Sequence, residues 1–174
     1  MKVSLLIPVY GVEKYIERFA RSLFGQTHDD IEYVFVDDAS PDRSIDVMLS
    51  VLNEYPRRKD QVRVIRHEHN VGLSGARNTG IENASGDYVW HIDSDDWVET
   101  NAVELLLDTA VAKSADMVVF DKRTVYENKA IGSHDVIGSR TEGYVRRLMH
   151  RKSTLAARGK LWRRVLFTAP GARS

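Results

Sequence analysis

The chain has 174 residues, 43% of them hydrophobic, with 25 basic and 25 acidic side chains and a formal net charge of zero. This is enough for one globular domain with a sizeable core; it excludes a disordered chain and argues against a nucleic-acid binder that relies on overall basicity. Cysteine is absent, so disulfides and thiolate zinc sites are excluded, and a reducing cytoplasm is compatible.

Met1 to Pro8 contains an apolar run far too short to span a bilayer, and it lacks the apolar core and cleavage site of a signal peptide. Val3 to Val9 reads instead as a buried first strand. Gly11 breaks it, and Val12, Ile16, Phe19, Ala20 and Leu23 recur at helical spacing to about Phe24. Glu32 to Val36 is the second strand, running into Asp37-Asp38-Ala39-Ser40-Pro41-Asp42. Ser40 is placed to cap the next helix, with Pro41 at its first position. Ile45, Met48, Leu49 and Leu52 form that helix's apolar stripe, ended by Pro56 and the charged run Arg57 to Asp60. Val62 to Ile65 is a short third strand. Asn70 to Gly75 is a loop, and Ser74 is placed to cap a short helix to about Ala84.

Asp87 to Ile92 is the fourth strand, delivering Asp93-Ser94-Asp95-Asp96-Trp97. Thr100 is placed to cap a helix whose stripe is Val103, Leu106, Leu107, Ala110 and Val111. Met117 to Phe120 and Arg123 to Tyr126 read as two more strands, and Thr141 as the cap of a basic helix with Tyr144, Val145, Leu148 and Met149. Gly159 to Phe167 has no clear assignment. Basic residues crowd the chain from Arg140 onward, which reads as a solvated helix face or as attraction to phosphates or an anionic membrane surface.

Alternation of strand and helix over the first 112 residues predicts an α/β fold, three-layered α/β/α with a mainly parallel sheet. Ligands of such sheets bind beyond the carboxyl ends of the strands. Pro8 to Tyr10, Asp37-Asp38 and Asp93 to Asp96 all follow strands there.

Two residues apart on a strand, Asp93 and Asp95 point the same way. Their repulsion is relieved by a hard divalent cation that keeps positions open for diphosphate oxygens. A polar turn after a strand is the competing reading. Asp37 and Asp38 face opposite ways, so one can serve structure and the other accept hydrogen bonds from a uracil imide or ribose hydroxyls. Tyr10 offers a face for base stacking, and Trp97 offers one for a sugar ring or for packing. Arg77 can orient phosphate oxygens, helped by the helix N-terminus near Ser74. The glycine spacing from Gly72 to Gly80 fits neither a dinucleotide fingerprint nor a Walker loop. His67, His69 and His91 read as surface or packing histidines, and Trp90 as core.

Taken together, Pro8-Val9-Tyr10 with Glu13, Val36 to Asp42, Asn70 to Gly80 and Gly86-Asp87-Tyr88 leading to Asp93-Ser94-Asp95-Asp96-Trp97 resemble the motif series of family 2 glycosyltransferases. Order and spacing match over roughly the first two thirds of the chain, and four motifs in register are far more specific than one. Gly159 to Arg164 also resembles the family's Gly-Lys-Leu-Tyr segment.

The resemblance implies a single GT-A-like domain over residues 1–174, with the nucleotide-sugar and metal half in 1–112 and the start of an acceptor half in 113–174. It implies inverting transfer from a nucleotide-diphospho-sugar, UDP-sugar foremost, to a saccharide, lipid-linked or protein acceptor, with Mg²⁺ or Mn²⁺. Metal ligands would be Asp93 and Asp95, Asp95 the more direct. Donor contacts would come from Pro8, Val9, Tyr10, Glu13, Asp38, Ser40, Gly75, Arg77, Asn78, Ser94 and Trp97. The family's acidic general base follows the Gly-Lys-Leu segment, and here no acidic residue follows Lys160. The base is therefore expected beyond the chain end, which reads as truncated. An inactive nucleotide-sugar- or partner-binding relative and a metal-dependent phosphotransfer domain are the alternatives. The cytoplasm, or the cytoplasmic face of a membrane through the basic end, is the expected location.

Overall fold

A computed structural model describes residues 1–120 and 159–168 in full, and the backbone of 122–126 and 129–133. The strands are β1 Val3–Val9, β2 Ile31–Asp37, β3 Val62–Arg66, β4 Tyr88–His91, β5 Met117–Val119, β6 Lys122–Tyr126, β7 Lys129–Ser133 and β8 Lys160–Arg163. The helices are α1 Glu13–Phe24, α2 Ser44–Leu52, α3 Gly72–Glu82, α4 Ala102–Ala112 and the single turn α5 Val165–Thr168. The expected basic helix from Thr141 lies outside the described residues.

Six strands form one sheet in the order β3-β2-β1-β4-β8-β5, and β6 pairs with β7 in a separate hairpin. The first four are mutually parallel, as the alternation predicts. Both faces of β1 are buried, which explains why its run is apolar apart from Ser4, whose hydroxyl donates to Glu32. Val3, Leu5, Ile7 and Val9 pack with Ile16, Phe19 and Leu23 of α1, Met48 of α2 and Leu107 of α4. Leu6, Val34, Val36 and Val89 face the other way, against Ala76 and Ile81 of α3. The fold is thus the expected three-layer α/β/α sandwich. Among the described residues no helix is long and apolar enough to cross a membrane.

The chain runs outward from β1 to β3, then returns through α3 to place β4 on the other side of β1. The strand order therefore reverses between β1 and β4, where an open α/β sheet leaves a crevice.

Several expectations need correction. The stretch Gly159 to Phe167, left without an element, supplies β8, which enters the sheet antiparallel between β4 and β5. Ser40 does not cap α2. The helix begins at Ser44, and Asp42 Oδ1 takes the Ser44 amide at 3.1 Å. Ser74 lies inside α3, which starts at Gly72. Thr100 stands one residue before Asn101, which precedes the first turn of α4, and no side chain caps that helix. In each case a hydroxyl near a helix start has the right chemistry, but tertiary hydrogen bonds fix the first turn elsewhere. The charged run after Pro56 forms a 3₁₀ turn, Pro56–Gln61. In it Arg58 is buried, its guanidinium bonded to the carbonyls of Phe24, Gln26, His28 and Asp29.

Candidate functional site

At the carboxyl edge a cavity of about 470 Å³ opens between the ends of β1, β2 and β4 and the start of α3. Pro8, Val9 and Tyr10 line it from β1, Asp38 from β2, and Asp93, Ser94 and Asp95 from β4. Asn70, Gly72, Leu73 and Ala76 close it from the loop before α3 and that helix's first turns. Its size falls within the range that holds a small nucleotide, roughly 300–1,000 Å³.

Asp38 organises one wall. It is 3% exposed, and its carboxylate accepts hydrogen bonds from the amides of Val71 and Gly72, each at 2.9 Å. His67 Nδ1 lies 2.7 Å from Asp38 Oδ1, and Nε2 lies 3.0 Å from Thr79 Oγ1. A carboxylate only accepts, so Nδ1 carries a proton, and in the neutral ring Nε2 takes the Thr79 hydroxyl hydrogen. Burial pushes the Asp38 carboxyl up, but the bonds from His67, Val71 and Gly72 outweigh it and hold it below its ordinary value. Gly72 has φ of +82°, a backbone that a side chain resists, and this aims its amide at Asp38. Asp37 is spent inside the fold, accepting the Ser40 amide at 2.9 Å. The expected division between a structural and a ligand-facing aspartate therefore takes a different form. Both hold backbone, and Asp38 also faces the cavity.

A second knot joins the β2–α2 loop to the start of α1. Ser40 Oγ accepts the Gly11 amide at 2.9 Å and donates to Asp42 Oδ1 at 2.7 Å. Asp42 Oδ2 accepts the Glu13 amide, and Glu13 Oε2 accepts the Arg43 amide, both at 2.9 Å. Partial burial works to raise the Asp42 carboxyl, yet the bonds from Ser44, the Glu13 amide and Ser40 bring it down to about 2. Glu13 and Ser40 thus hold the loops that frame Tyr10 and do not themselves line the cavity.

The acidic stretch is a turn, not a strand. β4 ends at His91, and the Asp96 amide donates to the Asp93 carbonyl at 3.1 Å. Strand alternation therefore does not explain why Asp93 and Asp95 share a side; the turn does, and both line the cavity. Ser94 Oγ donates to the Pro8 carbonyl at 2.8 Å and ties the turn to β1. Arg77 Nη2 bonds Asp93 Oδ1 at 2.7 Å. His91, 3% exposed, packs edge-on to Phe167. Burial drives its imidazole down to about 4, with Arg77 adding to the shift and Asp93 opposing it. Among the described residues no group of three or more His, Asp or Glu side chains is set to hold a metal ion. The two turn carboxylates fit a cation such as Mg²⁺ that keeps most of its coordination for water and phosphate.

Some expected donor contacts fall outside the cavity. Asn78 is exposed on α3. Gly75 sits within α3, where an added Cβ would come within 2.6 Å of Val71 Cγ2. Trp97 is 40% exposed and stacks against the Arg18 guanidinium at 4.9 Å, on the α1 side of the turn. His67, read from the sequence as a surface or packing histidine, instead holds Asp38, and Asn70, Leu73 and Asp42 were not singled out within their motifs. Asn70 and Leu73 lie within the quoted glycine loop, but nothing local marks which residues face the cavity. The His67–Asp38 contact spans 29 positions.

Comparison with known proteins agrees with this fold. The model of the Glycosyl transferase family 2 matches residues 4–167, and the chain belongs to that family. Putative glycosyltransferase EpsH of Bacillus subtilis is 36% identical over 96% of the chain, which spans 48% of that protein. Glycosyltransferase GlyA of Streptococcus pneumoniae is 36% identical over 79% of the chain, which matches 19% of it. The chain thus spans about half the length of these relatives or less. Among solved structures, S. aureus TarS 1–349 in complex with UDP superposes with a TM-score of 0.78 over 97% of this chain and 48% of that one, at 23% identity. The mannosyltransferase PcManGT of Pyrobaculum calidifontis, in complex with GDP-Man and Mn²⁺, gives 0.70 over 97% of this chain and 46% of that one, at 19% identity. The GT-A-like fold is the expected one.

Proposed function

We propose that the chain binds a nucleotide-diphospho-sugar, a UDP-sugar first of all, as the donor half of a metal-assisted, inverting glycosyl transfer. The observation that carries this reading is the convergence of Tyr10, Asp38, Asp93 and Asp95 from three strand ends on one cavity. Tyr10, half exposed at the mouth, offers its ring to the base. Asp38 holds the wall beside it and keeps acceptor capacity on Oδ2, which has one bonded amide, for a uracil imide or ribose hydroxyl. Asp93 and Asp95 would hold the cation, Asp95 the more directly. When bound, Mg²⁺ or Mn²⁺ supplies positive charge that offsets the departing diphosphate. Arg77 would lie along the phosphates, with Asn78 and Trp97 flanking the donor.

In the whole protein the acceptor oxygen would form its bond to the anomeric carbon on the face opposite the breaking bond to phosphate. A carboxylate base would take the hydroxyl proton. Saccharide, lipid-linked and protein acceptors all suit this chemistry. Support comes from relatives whose structures hold UDP, UDP-GlcNAc, or GDP-Man with Mn²⁺. The test is a thermal-shift screen over UDP- and GDP-sugars with and without Mn²⁺. Stabilisation by at least one nucleotide-sugar in Mn²⁺ is expected; no shift with any of them would overturn the reading.

A further inference from the structure

Arg77 is bonded to a residue that the donor reading assigns to the cation. Its Nη2 stands 2.7 Å from Asp93 Oδ1, and the two side chains are only 22% and 17% exposed, so water screens the pair weakly. A guanidinium on a carboxylate commonly bonds through two nitrogens. Here the Nε of Arg77 is buried without a hydrogen-bond partner. The charge of Arg77 is thus placed against the acidic turn while its donor fork is only partly used. Such an arrangement suits a group that changes partners.

Resting on the donor and cation reading above, we infer that Arg77 is a resting counter-ion that makes cation binding conditional on the diphosphate. In the ligand-free chain it neutralises Asp93 and repels a bare divalent cation. A cation that arrives with a nucleoside diphosphate brings negative charge of its own. That charge draws the guanidinium toward phosphate oxygens, where a planar fork fits, and releases Asp93 to the cation. Arg77 is on this account a positioning residue for the cation and a direct partner of the diphosphate.

The experiment titrates Mn²⁺ alone into the 174-residue chain, following free Mn²⁺ by electron paramagnetic resonance, and then titrates UDP at saturating Mn²⁺. Loss of one positive charge beside the site in Arg77→Gln should tighten binding of Mn²⁺ alone by about tenfold or more. The same variant should bind UDP several-fold more weakly. Arg77→Lys keeps the charge and should retain the weak binding of bare Mn²⁺. A merely structural arginine would weaken both ligands together when removed, so the opposite signs are the signature. Arg77→Met keeps the apolar stem and serves as a second neutral variant should Arg77→Gln melt near room temperature. Wild type that binds UDP with Mn²⁺, with no gain for bare Mn²⁺ in either neutral variant, overturns this inference and leaves the donor reading standing. Wild type that binds no nucleotide at any Mn²⁺ concentration overturns both.

Discussion

Asp95 and Asp96 are neighbours in sequence and differ in what they face. Asp95 lines the cavity beside Asp93, whereas the Asp96 amide closes the turn. Asp95→Asn should therefore weaken Mn²⁺-dependent UDP binding by roughly tenfold or more, and Asp96→Asn by far less. Calorimetric titration of both variants checks this, and equal losses would contradict the turn geometry. Asp42 works at the same scale through stability. Its folded carboxyl sits at about 2 against an ordinary 3.8. A depressed carboxyl contributes stability above its ordinary value and loses it as pH falls through the folded value. The contribution is thus full at neutral pH and fades between about pH 4 and pH 2. With solvent screening it is worth on the order of 1 kcal/mol. Asp42→Asn should lower the neutral-pH melting temperature and flatten the acid limb of the stability curve. An unchanged acid limb would contradict the bonding described for Asp42.

At the scale of elements, the strands were legible because each carries its signal locally. β1 and β2 are mostly β-branched, leucine and aromatic runs buried along their whole length, and the helical stripes of α1 and α4 match their buried residues except Val111, which is exposed, as is Leu49 of the stripe expected in α2. What was not legible is non-local. β8 takes its place through antiparallel pairing with β4, Trp90 opposite Leu161, across 71 positions. No period in a four-residue run reveals such a partner. Helix starts were misread for the same reason, since Asp42 and the Val71–Gly72 amides answer to distant loops. In the site, acidic residues and Tyr10 were legible as chemistry, whereas His67 became visible only once β3 lay beside β2. Gly86 shows how tightly the loop entering β4 is built. A Cβ there would stand 2.7 Å from Ser4 Oγ and 2.8 Å from the Lys2 carbonyl. Its amide also donates to Ser4 Oγ, which in turn donates to buried Glu32. Gly86→Ala should cost about 1–3 kcal/mol, read by chemical denaturation, because backbone on β1 has to move. A cost near zero would show that this loop yields easily.

For the molecule as a whole, the reversal of strand order between β1 and β4 accounts for where the site lies. Both faces of the sheet are covered by helices, so polar chemistry is left to the strand ends. Two of those ends, β2 and β4, bring aspartates to one cavity beside Tyr10 from β1, and a diphosphate entering it adds negative charge to negative charge. The account therefore stands on the cation joining the two. The direct measurement is a calorimetric titration of UDP into the chain at neutral pH, once in Mn²⁺ and once in excess chelator. Saturable binding in Mn²⁺ and its loss, by tenfold or more in affinity, in chelator is the predicted result. Equal affinity in both, or no binding in Mn²⁺, would contradict it.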